Sequence, residues 1–256
     1  MRGNMKIFTC ENGFEGMMTG IYHAWEWSLQ NGKEKVALKR EPIRQMTLFD
    51  EYVHVEPDRK KAEKVARSIR RKISDNAYIT VYYATLSEED VLDDIYLFLQ
   101  LGFGVGEKVT SMLTEPCVMK LMEIRRRVGN EVHYWREFTR FDAIGRVLVS
   151  HLEPKNHVLP LLGSHFRDRM PSEDWMIIDD HRRLALVHPR NQSYYLRMLE
   201  EEEWLSLQKT EQQKDVYQEL WKTFFGAITI AQRENKACQR NHIPLWMRKH
   251  ATEFRK

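Results

Sequence analysis

Cysteine is scarce in this sequence of 256 residues, and the three present, Cys10, Cys117 and Cys238, are widely separated along the chain. No two of them have the short spacing of a zinc or iron–sulfur site, so we expect no thiolate metal site. Few and scattered cysteines are typical of a reducing compartment, where the residue serves as a small buried apolar side chain.

Long apolar runs are also missing. No stretch approaches the ~20 residues needed to cross a bilayer, and residues 1–13 lack the apolar h-region of a secretory signal. We therefore expect a cytoplasmic protein without a membrane partner. The sequence also contains no G-x-S-x-G, no G-x-x-x-x-G-K-[S/T] and no H-E-x-x-H, so it does not indicate a hydrolase or an NTPase, and we predict no metal and no cofactor.

Positive charge is present in excess at two places, although 40 basic and 37 acidic residues leave a net charge of only +3. Eight basic residues lie within 59–72, opposed there only by Glu63. A further eight lie between Trp221 and the end of the sequence, opposed by Glu234 and Glu253. Such segregation is typical of a face that binds a polyanion.

The residues predicted to contact nucleic acid belong to these two runs or to a third, shorter one at residues 125–127. Arginine is the strongest part of the signal because a guanidinium stays charged and binds phosphate in a bidentate manner. A tryptophan between cations can also stack on a base. Each run alone could equally be a solvated helix face. The predicted contacts are Lys64, Arg67, Arg70, Arg71, Lys72, Arg125, Arg126, Arg233, Arg240, Trp246, Arg248 and Lys249.

The N-terminal region, residues 1–135, reads as mainly helical. A short strand at 6–9 precedes helices predicted by apolar residues at three- and four-residue steps. The stretch 33–57 carries two prolines and is predicted to be mostly loop with one short strand. Residues 87–90 match a capping-box pattern and predict the start of the third helix. The predicted helices span about 14–31, 57–73, 87–100 and 114–134.

The second region, 136–256, alternates between strand and helix patterns. Residues 137–151 and 175–187 each predict an antiparallel hairpin, and residues 156–170 between them predict a helix. After the acidic residues 200–203, a final long helix with apolar residues between 217 and 228 and a basic tail complete the chain. The fold class is therefore α+β, with a helix-rich half followed by a hairpin-helix-hairpin antiparallel sheet unit and C-terminal helices. The two regions could also form one continuous domain.

A glycine-rich segment, Leu101-Gly102-Phe103-Gly104-Val105-Gly106-Glu107-Lys108-Val109, lies between two predicted helices. Glycine would let the backbone approach a phosphate at the N-terminus of the second helix. The segment also resembles the hairpin of base-excision glycosylases that use a lysine nucleophile, but Arg126 lies near the position where those enzymes carry an aspartate. A plain helix connection, a phosphate-binding hairpin and a catalytic Lys108 all remain open.

Histidines and aspartates in the second region form the other candidate site. His157, His165 and Asp179 could supply acid–base chemistry if the fold brings them together. No spacing among them matches a metal-ligand signature, and polar residues at turns and helix ends would account for them equally well.

Several segments together resemble an uncharacterised bacterial family named for DNA metabolism or DNA repair. The resemblance extends along the whole chain and rests on short runs of sequence. The most specific of these runs lie at residues 156–162, 165–169 and 175–180, with others at 14–16, 64–72, 98–103, 220–222, 233–235 and 239–240.

The resemblance implies a partner more than an activity. Members of that family are typically encoded beside a radical SAM DNA-repair protein, and in some bacteria a similar domain is fused to a uracil-DNA glycosylase. This chain has no C-x-x-x-C-x-x-C motif. The leading hypothesis is an accessory protein that binds DNA and assists a radical SAM or glycosylase enzyme without itself supplying the chemistry. The alternatives are a DNA-processing enzyme and a protein–protein adaptor that does not bind DNA.

Overall fold

A computed structural model describes residues 5–32, 35–43, 45–210 and 244–250 of the chain. The chain divides into two compact units, Met1–Gly129 and Asn130–Lys256. The division falls inside a long helix, Pro116–Phe138, close to the boundary at 135 and 136 suggested by the sequence. Each unit contains its own sheet, and the class is α+β as predicted.

The first unit contains a three-stranded parallel sheet in the order β2-β1-β3. Its strands are β1 (Lys6–Cys10), β2 (Val36–Arg40) and β3 (Glu51–Val55). The prediction of one strand between residues 33 and 57 is wrong, because the structure has two there. Both are only five residues long, and each is stabilised by pairing with β1, which a local sequence pattern does not reveal.

Four helices of the first unit follow in chain order and differ in two places from the predictions. They are α1 (Phe14–Asn31), α2 (Arg59–Lys72), α3 (Asp75–Thr85) and α4 (Leu92–Val105). Helix α3 was not predicted, and Ser74 starts it by accepting the Ala77 N–H at 3.1 Å. The predicted capping box at 87–90 is wrong: the Ser87 hydroxyl accepts the Glu89 N–H in a turn, and α4 begins later.

The second unit contains a five-stranded sheet in the order β4-β5-β6-β7-β8. The strands are β4 (Asp142–Ile144), β5 (Val147–Leu152), β6 (Asp174–Asp179), β7 (Leu184–His188) and β8 (Tyr195–Met198). The helices that accompany the sheet are α5 (Pro116–Phe138), which begins in the first unit, α6 (Leu159–Arg169) and α7 (Glu201–Thr210).

The predicted hairpin-helix-hairpin order is confirmed, but the sheet is mixed and not antiparallel throughout. Strands β4 and β5 form one hairpin, and β6 and β7 form the other. Helix α6 carries the chain back over the sheet, so β5 and β6 pair in parallel from Val147↔Asp174 to Leu152↔Asp179. Two parallel neighbours end at the same edge, and the residues that follow β5 and β6 therefore lie close together.

The core of the second unit lies on both faces of this sheet. On one face, Trp135 of α5 and Leu162 and Phe166 of α6 pack against Trp175 of β6. On the other face, Trp204 of α7 packs against a smaller cluster that includes Ile178. The predicted apolar residues of the last long helix, within 217–228, lie outside the described residues.

Two of the three cysteines are described, and both Cys10 and Cys117 are buried free thiols, as expected. Burial raises the pKa of the Cys10 thiol to about 12, so it is not a reactive thiolate. Cys238 lies outside the described residues. Among the helices within the described ranges, none is long and apolar enough to cross a membrane.

Candidate nucleic-acid interface

Helix α2 carries most of the positive charge of the first unit. The Asp58 carboxylate caps its N-terminus by accepting the backbone N–H groups of Lys60 and Lys61 at 2.8 and 3.1 Å. Ala62 and Ile69 are buried against the unit. Because a helix turns once in 3.6 residues, these contacts leave the opposite side of α2 exposed.

Between residues 64 and 72, four cations on the exposed side of α2 form what we call the cation row, and the exposed Lys60 lies one turn before it. Lys64, Arg67, Arg71 and Lys72 are all exposed, and none of them pairs with a carboxylate of the described residues. Their spacing places them within a single arc of the helix surface. The row therefore presents four positive charges that the described part of the protein does not neutralise.

Two other arginines of α2 are engaged elsewhere. Arg59 pairs with Glu63 one turn later, at 2.9 Å. Arg70, a predicted phosphate contact, lies 3.8 Å from the Asp75 carboxylate, and its guanidinium carbon lies 3.8 Å from the centre of the Tyr78 ring. Arg70 consequently belongs to the packing between α2 and α3 more than to the cation row.

An apolar groove of about 410 Å³ runs beside the cation row, between α1, α2 and the end of α4. We call it the aromatic groove because the rings of Tyr22, Trp25 and Phe103 line it. Trp25 and Phe103 pack edge to face with their centroids 5.0 Å apart. Lys64 and Lys72 line the same groove, so its margin and the cation row share two residues.

A second cavity of about 400 Å³ lies beside β1 and β3, at the β3–α2 connection. In a sheet of order β2-β1-β3 this is where the strand order reverses, a common place for ligands. Its polar lining is internally satisfied: the Lys61 ammonium lies 2.8 Å from His23 Nε2, and His54 Nδ1 lies 2.7 Å from the Glu41 carboxylate. Burial and Lys61 lower the pKa of His23, whereas the Glu41 hydrogen bond raises that of His54.

The arginine run at 125–127 is largely engaged within the first unit. Arg125 donates to the Asn76 and Thr80 side chains of α3, and Arg127 pairs with Glu89. Of the two predicted contacts in this run, only Arg126 is exposed without a hydrogen bond or ion pair among the described residues.

The glycine-rich segment completes helix α4 and begins the connection to α5. Helix α4 continues through Gly102, where an added Cβ would lie 2.7 Å from Ile73 Cδ1, so this glycine permits close packing. The chain leaves the helix at Gly106, whose φ is 67°, and forms a six-residue 3-10 helix, Gly106–Ser111. Lys108 is exposed on that short helix. The phosphate-binding alternative requires the N-terminus of a second α-helix directly after the glycines, where the chain forms this 3-10 helix instead.

The C-terminal candidates are described only in part. Trp246 is 44% exposed and packs edge to face on Trp135 at 5.5 Å, and Arg248 is half-buried. Trp246 thus belongs to the margin of the core of the second unit. Arg233, Arg240 and the Lys249 side chain lie outside the described residues.

The histidine and aspartate candidates lie in the second unit, two of them where the parallel strands β5 and β6 end. Asp179 is fully buried at the end of β6 and accepts two hydrogen bonds from Arg182, one from its backbone N–H at 3.1 Å and one from its guanidinium at 2.9 Å. Burial raises the pKa of the Asp179 carboxyl, and the Arg182 charge opposes that rise. The same guanidinium donates to the backbone carbonyls of Pro154 and Lys155 at 3.0 and 2.7 Å.

Glu131 of α5 holds the loop after β5 from the other side. Its carboxylate is buried and accepts the backbone N–H groups of Lys155 and Asn156 and the Asn156 side-chain amide. We call Glu131, Asn156, His157, Asp179 and Arg182 the strand-end cluster. The sequence interpretation identified His157 and Asp179 but missed the other three, whose partners are distant in sequence or belong to the backbone.

His157 and His165 occupy separate surroundings. Burial and the Arg182 charge lower the pKa of His157 to about 4, and its Nδ1 is buried without a hydrogen-bond partner. His165 lies on α6, and burial and Arg136 lower its pKa. No hydrogen bond in the described chain joins His157, His165 and Asp179 to one another. Among the described residues, no three His, Cys, Asp or Glu side chains form a group that could hold a metal ion.

The low pKa of His157 predicts acid sensitivity. An unfolded histidine titrates near pH 6.5, so protons favour the unfolded chain as pH falls from 6.5 toward 4. Each pH unit between the two pKa values changes the free energy of unfolding by about 1.4 kcal/mol, which gives a loss of about 3 kcal/mol from this residue. Urea unfolding at a series of pH values should show a flatter pH dependence in His157→Gln.

The exposed His133, paired with Glu137 on the same face of α5, provides the control. His133→Gln should not produce the flattening expected of His157→Gln. Equal slopes for His157→Gln and the unsubstituted protein would show that His157 titrates alike in the folded and unfolded states, contrary to its buried position.

Comparison with known proteins identifies one domain. Residues 89–253 match the family model of a domain of unknown function, DUF4130. The matched range begins just before α4 and includes the whole sheet of the second unit, whereas β1–β3 and α1–α3 lie before it. No curated protein matches the chain.

Proposed function

The chain belongs to the DUF4130 family, and we propose that it is a cytoplasmic protein that binds DNA through helix α2, which precedes the residues matched to that family. The observation that carries the proposal is the cation row: four exposed cations of one helix arc have no carboxylate partner among the described residues. Unpaired surface cations repel one another and gain most from a polyanion, whose counterions they release.

A phosphate backbone fits the row better than a discrete small anion does. The row extends over more than two turns of α2, from Lys64 to Lys72, so its charges are distributed along the helix. Two of its members are arginines, which bind phosphate oxygens in a bidentate manner. Arg70, which pairs with Asp75 and packs on Tyr78, marks where the row ends on the side that faces α3.

The salt dependence of binding tests the proposal. The logarithm of the affinity for duplex DNA falls by about 0.9 per phosphate neutralised for each unit of log salt, so four cations predict a slope of about −3.6. Arg67→Gln/Arg71→Gln should weaken binding about tenfold or more at low salt and reduce the magnitude of that slope by about 2. Fluorescence anisotropy with a labelled DNA over a salt series measures both quantities.

The matched control is Arg59→Gln/Arg70→Gln, which removes the same charge from the same helix at residues already engaged with Glu63 and Asp75. It should change the slope by less than the first pair does. Equal changes of affinity and salt slope in the two variants would mean that DNA binding depends only on the net charge of the protein. An unchanged slope in Arg67→Gln/Arg71→Gln would remove the cation row from the interface.

The partner is a further part of the proposal, supported by the resemblance to DNA metabolism and repair proteins. We propose that the protein supplies DNA binding to a radical SAM DNA-repair enzyme or a glycosylase and not the chemistry. Copurification of such an enzyme with the full chain should depend on DNA and be lost on nuclease treatment. Nuclease-resistant copurification, together with no DNA binding by the isolated chain, would favour a protein–protein adaptor.

A further inference from the structure

We propose that the aromatic groove receives an unpaired base of single-stranded DNA while the cation row binds the adjoining phosphates. This inference rests on the proposed DNA binding and adds the kind of DNA that is bound. The sequence interpretation placed a stacking residue at Trp246, but that ring packs on Trp135 in the second unit. In the first unit, the structure instead combines aromatic side chains with unpaired cations beside α2.

The shape and lining of the groove suit a flat aromatic ligand. Its volume of about 410 Å³ lies within the ~300–1,000 Å³ typical of small-molecule sites. Tyr22, Trp25 and Phe103 are half-buried, so each ring is fixed by packing while part of its surface remains accessible. Leu29 extends the apolar lining and is 74% exposed. Bases stack on such rings whatever their identity, since every base has a π-face.

The charges around the groove select an anionic chain as its occupant. Lys64 and Lys72 line the groove and belong to the cation row, and Glu26 contributes one opposing carboxylate. The ammonium groups of Lys61 and Lys64 also lie 5.6 and 6.0 Å from the centre of the Tyr22 ring. An apolar partner helix would offer no counter-charge to these cations, whereas a nucleotide offers a flat base and a phosphate together.

Duplex DNA offers phosphates to the cation row but no unpaired base to the aromatic groove. In a duplex the bases are paired and stacked, and extruding one costs a few kcal/mol. A single strand offers its bases without that cost. The groove therefore predicts tighter binding to a single strand than to a duplex of the same sequence at the same salt concentration.

Fluorescence anisotropy of the full chain with three labelled DNAs tests the inference: a single strand, an abasic strand with the same number of phosphates, and the duplex. The strand that carries bases should bind about fivefold to a hundredfold tighter than the abasic strand, the range that base–aromatic stacking supplies. Tyr22→Leu keeps every cation and should reduce that ratio to about a third of its value or less. Affinity for the abasic strand should be unchanged.

Tyr195, an exposed tyrosine on β8 of the second unit, provides the matched control. Tyr195→Leu should leave the ratio between the two strands unaltered. A second measurement uses the fluorescence of Trp25, because a base lying in the groove should quench it. Part of the quenching of the protein's seven tryptophans should disappear in Trp25→Phe, a substitution that preserves the packing of a ring.

The outcomes separate the two proposals. Equal binding of the base-carrying and abasic strands, or tighter binding of the duplex, would overturn the groove inference while leaving DNA binding by α2 intact. A preference for bases that persists in Tyr22→Leu together with unchanged quenching in Trp25→Phe would place the base elsewhere. Self-association in sedimentation experiments that Tyr22→Leu abolishes would assign the groove to a second copy of the chain. Failure to bind any of the three DNAs would contradict the proposed function itself.

Discussion

Replacing Arg182 with methionine is expected to lower the free energy of unfolding by about 3–5 kcal/mol, because Asp179 would remain as a buried charge without its partner. Asp179 is fully buried, and the substitution removes the guanidinium that donates to its carboxylate and balances its charge, while the hydrogen bond from the backbone N–H of residue 182 is kept. The substitution also removes the donors to the carbonyls of Pro154 and Lys155. Urea unfolding followed by tryptophan fluorescence and circular dichroism measures the change.

The double variant Asp179→Asn/Arg182→Met separates the buried charge from the other lost contacts. It should be more stable than Arg182→Met alone, since asparagine leaves no unpaired charge in the interior. Arg183→Met is the matched control: Arg183 is the next residue, and its pairing with Glu201 at 3.7 Å is exposed. An exposed pair contributes about 1 kcal/mol or less. Equal losses of unfolding free energy in Arg182→Met and Arg183→Met would contradict the importance assigned to the buried pair of Asp179 and Arg182.

Glu131→Ala is expected to cost about 4 kcal/mol, the second large effect. The Glu131 carboxylate accepts three N–H groups from Lys155 and Asn156, and its removal leaves these donors without partners in a buried place. Hydrogen bonds to a charged group contribute about 1.5–3 kcal/mol each and do not add fully. Loss of these bonds should also loosen the loop that carries His157, so amide hydrogen exchange at residues 155–158 should accelerate.

Glu123 of the same helix α5 provides the control because it is exposed. Glu123→Ala should change the free energy of unfolding by about 0.5 kcal/mol or less. The loss of unfolding free energy in Glu131→Gln should lie between the losses in Glu131→Ala and Glu123→Ala. The glutamine amide oxygen still accepts a hydrogen bond, whereas the amide nitrogen faces other donors. An unchanged free energy of unfolding in Glu131→Ala, together with unaltered amide exchange, would show that water accepts the loop's N–H groups as well as the carboxylate does.

Local patterns predicted most of the elements correctly. The alternating residues and turn signals of 137–151 and 175–187 predicted two hairpins, and the apolar stripe of 156–170 predicted the helix between them. The parallel pairing of β5 and β6 and the whole parallel sheet of the first unit were not predicted. Strand pairing between segments distant in sequence leaves no trace in a local pattern, especially for strands of five residues.

The candidate site was predicted in part, and the errors have a common cause. The sequence identified α2 as basic, but it could not separate the cation row from Arg70, which Tyr78 and Asp75 engage, or from Arg125, which α3 engages. Tyr22 and Trp25 belong to the apolar stripe, at three- and four-residue steps, that predicts α1. The structure leaves them half-buried and lining a groove, because α2 does not cover the full width of that stripe.

The sequence by itself determined the α+β class, the order of helices and hairpins in the second region, and the concentration of positive charge between residues 59 and 72. These properties depend on composition and on periodicities of two and 3.6 residues, which are local. Only the tertiary structure decided which cations remain unpaired, that aromatic rings lie beside them, and that Glu131 and Arg182 enclose the loop of His157. Those results depend on contacts between residues far apart in the chain, whose neighbours are set by folding and not by sequence distance.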